Sequence, residues 1–143
     1  MTESAPASRF FSAFQRNIAQ SDVNALAAQF AETYLNGGPH GHQLLHSADL
    51  VAGLSRRREL LNSLGCGPSR LVSLTETPLG DRFILAQVRW QFALEGAEEA
   101  VVVDSTYILD AAEPVRILLY ISHQDLMAIL KARQREGETS QIS

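Results

Sequence analysis

Tyr107, His123 and Asp104 are this chain's candidate residues for moving a proton. Histidine titrates closest to neutrality and is the natural acid–base group there. A buried tyrosine hydroxyl needs a hydrogen-bond partner or a ligand. With Tyr107 as donor and His123 as base, the chemistry would be isomerisation, dehydration or cyclisation. Each group also has a plainer use. Asp104 alternates with Tyr107 and falls on the opposite strand face, with Val102 and Thr106. A carboxylate there pairs with an arginine, and Arg89 and Arg116 are at hand. His123 stands where a helix begins and can bond to backbone; Asp125 is most simply the acid of a capping box, Ser122-His123-Gln124-Asp125.

Other reactive types point to less. His40, His42 and His46 form the chain's histidine cluster. On a strand, His42 and His46 would lie roughly 13 Å apart, too far to share a metal. His40 and His42 could approach through a glycine turn, yet no acid or cysteine completes a ligand set, so neither metal nor cofactor is expected. Cys66, flanked by glycines and with no histidine beside it, reads as a small turn residue. The basic run Arg56-Arg57-Arg58, followed by Glu59, reads as a solvated helix face.

The elements that must position Tyr107 and His123 centre on residues 84–94. There Ile84, Ala86, Val88, Trp90, Phe92 and Leu94 occupy one face of an extended strand, while Leu85, Gln87, Arg89, Gln91 and Ala93 occupy the other. Strict alternation over this length predicts a half-buried strand. Further strands are predicted over 70–77, 101–109 and 115–122, joined by short loops and therefore antiparallel neighbours in a meander. In the third, Val101, Val103, Ser105, Tyr107 and Leu109 form the inward phase; in the last, Ile117, Leu119, Ile121 and His123 form the cleaner apolar one. A helix is predicted from about residue 123 to 135.

Ahead of the strands, Phe10, Phe11, Phe14 and Ile18 recur at helical spacing. Ser21-Asp22 offers an N-cap, and Val23, Leu26, Ala27, Phe30, Ala31 and Tyr34 continue the period in a second helix that stops at Asn36-Gly37-Gly38-Pro39. Residues 42–46 and 50–54 then read as a short hairpin, with a helix over 56–64. A single helix over 48–64 competes with it, but Gly53 and Ser55 sit badly in a helix interior.

A chain of 143 residues is most simply one domain, here spanning 8–135 with flexible termini at 1–7 and 136–143. The net charge of −4 gives no electrostatic reason for a nucleic-acid or anionic-membrane partner. No stretch approaches the roughly 20 apolar residues that span a bilayer. The start, MTESAPASRFF, shows no cationic region followed by a long apolar run. A lone cysteine fits a reducing compartment, so a cytoplasmic location is expected. In Val101-Val102-Val103 and Ile117-Leu118-Leu119-Tyr120-Ile121 both strand faces are apolar. Helices can cover one; a second subunit over the other predicts a homodimer through the sheet.

The order helix, helix, short hairpin, helix and long meander resembles the nuclear transport factor 2-like superfamily, which includes SnoaL-like polyketide cyclases and ketosteroid isomerase. The local marks are VRWQF at 88–92, STYIL at 105–109 and VRILLYISHQDL at 115–126, and the likeness runs over about 8–130. It implies an α+β fold of cystatin-like architecture, a curved antiparallel sheet wrapped as a cone around the N-terminal helices, with an apolar cavity at its open end. In catalytic relatives an aspartate base and a tyrosine or acid donor project into that cavity. Here Phe14 stands in the first helix where a tyrosine donor would be expected, and no aspartate follows the second helix before the histidines. The expected function is binding of a small apolar organic ligand against Phe14, Phe30, Tyr34, Trp90, Phe92 and Tyr107, with proton transfer as its enzymatic form. The alternative is a non-catalytic homodimeric assembly module working through the outer sheet face.

Overall fold

The computed structural model describes residues 6–142, with side chains as far as Glu136. Its elements are α1 (Pro6–Ala19), α2 (Val23–Ala28), β1 (Phe30–Gly38), β2 (Gly41–His46), α3 (Leu50–Ser63), β3 (Cys66–Leu79), β4 (Phe83–Leu94), β5 (Val101–Asp110), β6 (Arg116–Ser122) and α4 (Leu126–Ile142). The six strands form one curved sheet in the order β2-β1-β6-β5-β4-β3. Neighbours are antiparallel except β1 and β6, which run parallel. The expected α+β shell is therefore present, with a mixed sheet of six strands. The flexible termini expected at 1–7 and 136–143 fall partly outside the described residues; α1 already begins at Pro6, and α4 reaches Ile142.

The alternation at 84–94 is realised in β4. Ile84, Ala86, Val88, Trp90 and Phe92 are buried, and so are Val101, Val103, Ser105, Tyr107 and Leu109 opposite them on β5. Against this face α1 lays Phe10, Phe11 and Phe14, all buried. The Phe11 ring meets Tyr107 edge-on at 4.8 Å, and Phe14 lies 6.0 Å from Trp90. Two polar contacts tie the helix to β3: at the irregularity between Leu71 and Ser73 the Leu71 N–H donates to Gln15 Oε1 at 2.6 Å, and the Ala7 N–H donates to Glu76 Oε1 at 3.1 Å.

Four expectations need correction. The second helix does not reach Tyr34: it is capped by Asp22, whose Oδ1 accepts from the Ala25 N–H, and ends at Ala28. Phe30 and Tyr34 are instead buried positions of β1, with Gly37. Residues four apart share a face in a strand as well as in a helix, so their spacing could not decide between the two. The hairpin over 42–54 is half right. Residues 41–46 are β2, but Leu50 begins a helix that runs through Gly53 and Ser55 to Ser63. Leu50, Leu54 and Leu61 pack on the core from this helix, and that packing outweighs the roughly 1 kcal/mol that a mid-helix glycine costs.

Third, α4 starts at Leu126, and Asp125 is its cap: Asp125 Oδ1 accepts from the Ala128 N–H at 3.0 Å. Fourth, β6 carries a bulge. Leu109 faces Ile117, and Ile108 faces Leu119, so two steps along β6 match one along β5. The extra residue, Leu118, exchanges the two faces of everything that follows. Tyr120 and Ser122 now join the inner face, opposite Tyr107 and Ser105, while Leu119, Ile121 and His123 turn outward. On that outer face Leu44, Leu35, Leu119, Ile108 and Leu85 stand side by side in register across five strands. No helix among the described residues is long and apolar enough to cross a membrane.

Candidate functional site

Between α1–α2, α3 and the inner sheet face lies a cavity of about 420 Å³, within the range of small-molecule sites. Phe14, Phe30, Tyr34, Trp90, Phe92 and Tyr107 all line it. The sheet fixes their geometry. Asn36, Tyr120 and Tyr107 are successive partners across β1, β6 and β5, which places their side chains in one row on the inner face. The rings of Tyr107 and Tyr120 sit 5.1 Å apart, and those of Phe30 and Tyr34 sit 4.7 Å apart.

Tyr107 is the most constrained of these groups. Its oxygen accepts a hydrogen bond from Trp90 Nε1–H at 3.2 Å, with both side chains buried. The Ser105 hydroxyl lies on the same side and favours the phenolate slightly, but it makes no hydrogen bond of ordinary geometry. Burial dominates and pushes the phenol well above the usual tyrosine range, so it keeps its proton at neutral pH and cannot serve as a base. Tyr34, with 2% of its surface exposed, also lines the cavity, and its pKa is raised by burial; its hydroxyl has no hydrogen-bond partner among the described residues. Cys66 is buried at the cavity wall. Its thiol donates to the Gly67 carbonyl and is pushed upward by burial, which keeps it from being a thiolate.

The other two candidate groups point elsewhere. Asp104 is on the outer face, where Arg89 Nε donates to it at 2.8 Å. That bond is the largest cause holding its carboxyl below the ordinary range. His123 is exposed, and its Nε2 lies 2.7 Å from Thr106 Oγ1, also on the outer face. The bulge at Leu118 is what turns it away from Tyr107. His40, in the β1–β2 turn, pairs with Asp125 at 2.8 Å. No three of His, Cys, Asp and Glu come together as metal ligands would among the described residues.

Several polar lining residues were not anticipated: Asn36, Tyr120, Arg57 and Arg58, with Ser21, Asn62 and Ser69. Tyr120 was hidden by the bulge. The arginines were legible only with α3 drawn as one helix, for then Arg57 and Arg58 fall seven and eight places after Leu50, on its apolar side. Among the lining residues there is no Asp, Glu or His.

No protein-family model and no curated protein sequence matches the chain. Solved structures do. Aln2 from a Streptomyces species superposes with a TM-score of 0.68 at 13% identity, over 87% of this chain and 91% of that one. A nuclear transport factor 2-like protein of unknown function from Shewanella oneidensis gives 0.67 at 11% identity, over 83% and 97%. The chain has the nuclear transport factor 2-like fold. A putative polyketide cyclase from Xanthomonas campestris pv. campestris shares this fold at a TM-score of 0.56 and 16% identity, over 88% and 95%. At such identities the nuclear transport factor 2-like likeness speaks to architecture, and function has to be argued from the cavity itself.

Proposed function

We propose that the protein binds a small, largely apolar organic molecule in the cavity between α3 and the inner sheet face. The observation that carries this reading is the cavity of about 420 Å³ beside Trp90, walled by aromatic rings and holding a Tyr34 hydroxyl that has no partner among the described residues. Apolar walls supply the affinity, and a few polar groups fix the orientation. Proton transfer would need a base. With His123 and Asp104 on the outer face and Tyr34, Tyr107 and Cys66 held protonated, the walls offer none at neutral pH. Binding therefore stands ahead of catalysis.

Gly53 provides the test. It lies on the cavity side of α3, and a Cβ placed there meets nothing within 4 Å. The neutral fluorescent probe N-phenyl-1-naphthylamine is expected to bind the unaltered protein and to be excluded by Gly53→Phe, which fills the space. Undiminished binding to a folded Gly53→Phe variant would remove the cavity as the site.

The outer row Leu44, Leu35, Leu119, Ile108 and Leu85 favours a second reading that can hold alongside the first: a second copy of this chain packs on that face. Leu44 is 68% exposed in the isolated chain, and contiguous apolar rows of this kind are usually covered. Sedimentation at micromolar concentration is expected to give a dimer and Leu119→Arg a monomer; a monomeric unaltered protein would end this reading.

A further inference from the structure

We infer that the ligand of the cavity is an organic anion: an apolar, ring-bearing body with one carboxylate, its acidic end held by Arg57 and Arg58 at the mouth. This rests on the cavity being a ligand site. It goes further by fixing the charge of what enters.

Both arginines line the cavity, and the wall holds no carboxylate to balance them. Among the described residues Arg57 has no hydrogen-bond or ion-pair partner, and Arg58 gives one N–H to the Ile18 carbonyl at 3.3 Å. Arg57 is exposed, which puts it at the opening, yet its charge reaches Tyr107 and Cys66 in the wall. On the sheet side the Tyr34 hydroxyl is unpartnered among the described residues. Guanidinium forks match a carboxylate two bonds at a time, and such charge-assisted bonds are the stronger kind. The rest of the wall, with Phe14, Phe30 and Trp90, suits an apolar ring. A neutral ligand would use that wall and leave both positive charges uncompensated.

The test compares two nearly isosteric competitors, 2-naphthaleneacetate and 2-naphthaleneacetamide, in displacing N-phenyl-1-naphthylamine from the unaltered protein. The anion is expected to displace it at about tenfold lower concentration. Because Arg57 is solvent-exposed, raising salt from about 0.05 M to about 0.5 M should shrink that preference severalfold. In Arg57→Gln/Arg58→Gln the ratio should fall to near one. Equal displacement by the two competitors, no displacement by either, or a preference that survives the double substitution would each overturn the anion assignment while leaving the cavity as a binding site. Failure of N-phenyl-1-naphthylamine itself to bind would overturn both.

Discussion

The buried bond from Trp90 to Tyr107 lends itself to a quantitative test, because it is the constraint that orients a buried polar group of the cavity wall. Replacing Tyr107 with Phe keeps the ring against Phe11 and Tyr120 and removes only the oxygen that accepts from Trp90 Nε1–H. An indole N–H left buried without a partner costs about 1–3 kcal/mol. The bond length of 3.2 Å is at the long end for N–H···O, which argues for the lower half, about 1–2 kcal/mol. At about 2.1 cal/mol/K of unfolding entropy per residue, a chain of 143 residues loses about 3 °C in Tm per kcal/mol. Tyr107→Phe should therefore melt about 3–7 °C lower by circular dichroism or calorimetry. Trp90→Phe alone costs more, through lost packing as well as the lost donor. The double variant should fall short of the sum by about 1 kcal/mol, the coupling of the pair. A Tyr107→Phe protein melting within about 1 °C of the unaltered one, with no coupling, would mean that the indole finds another partner and that the phenol is not held by it.

Gly53→Ala should raise stability by about 0.5–1 kcal/mol in denaturant unfolding, because the helix exists despite the glycine and the added Cβ meets nothing within 4 Å; a loss of stability would show that the α3 geometry at Gly53 is misjudged. Alkaline pH should destabilise the fold. Tyr34 and Tyr107 have folded pKa values raised above the ordinary value of about 10, so their contribution is complete below that pH and lost as pH rises through the folded values. Absorbance at 295 nm should show both phenols ionising later in the folded protein than in denaturant, with Tm falling over the same range; ionisation of both near 10 in the folded protein would contradict their burial.

The parts of this fold that were legible from sequence are those where one face is wet and the other dry. The faces of β4 and β5 followed from Trp90, Phe92, Val103 and Tyr107 because a period of two has no helical rival over that length. That Asp104 would pair with an arginine on the outer face followed from the same phase, while the register of β4 and β5 selects Arg89 over Arg116. Elsewhere local preference misled. Phe30 and Tyr34 satisfy both periods, and only their pairing with β2 and β6 selects the strand. Gly53 argued against a helix that tertiary packing of Leu50, Leu54 and Leu61 imposes. With that helix set aside in favour of the hairpin, Arg57 and Arg58 could not be placed on the cavity, and nothing in the residues themselves marks Leu118 as the bulge.

That one additional residue in the last strand works as a selector between two different chambers. Were Leu118 kept but paired in a regular ladder, with the bulge ironed out, the odd-numbered set Leu119, Ile121 and His123 would swing into the hollow, and Tyr120 would go to the exterior. The same segment would then present an imidazole and two aliphatic groups where it now presents a phenol, and the exterior would lose the leucine at the middle of its greasy band. Loss of Leu118 itself would leave these faces unchanged, so it is the unpaired seat of that residue in the ladder that keeps an imidazole out of the cavity wall. Gapless alignment of such strands between distant homologues would pair inside with outside.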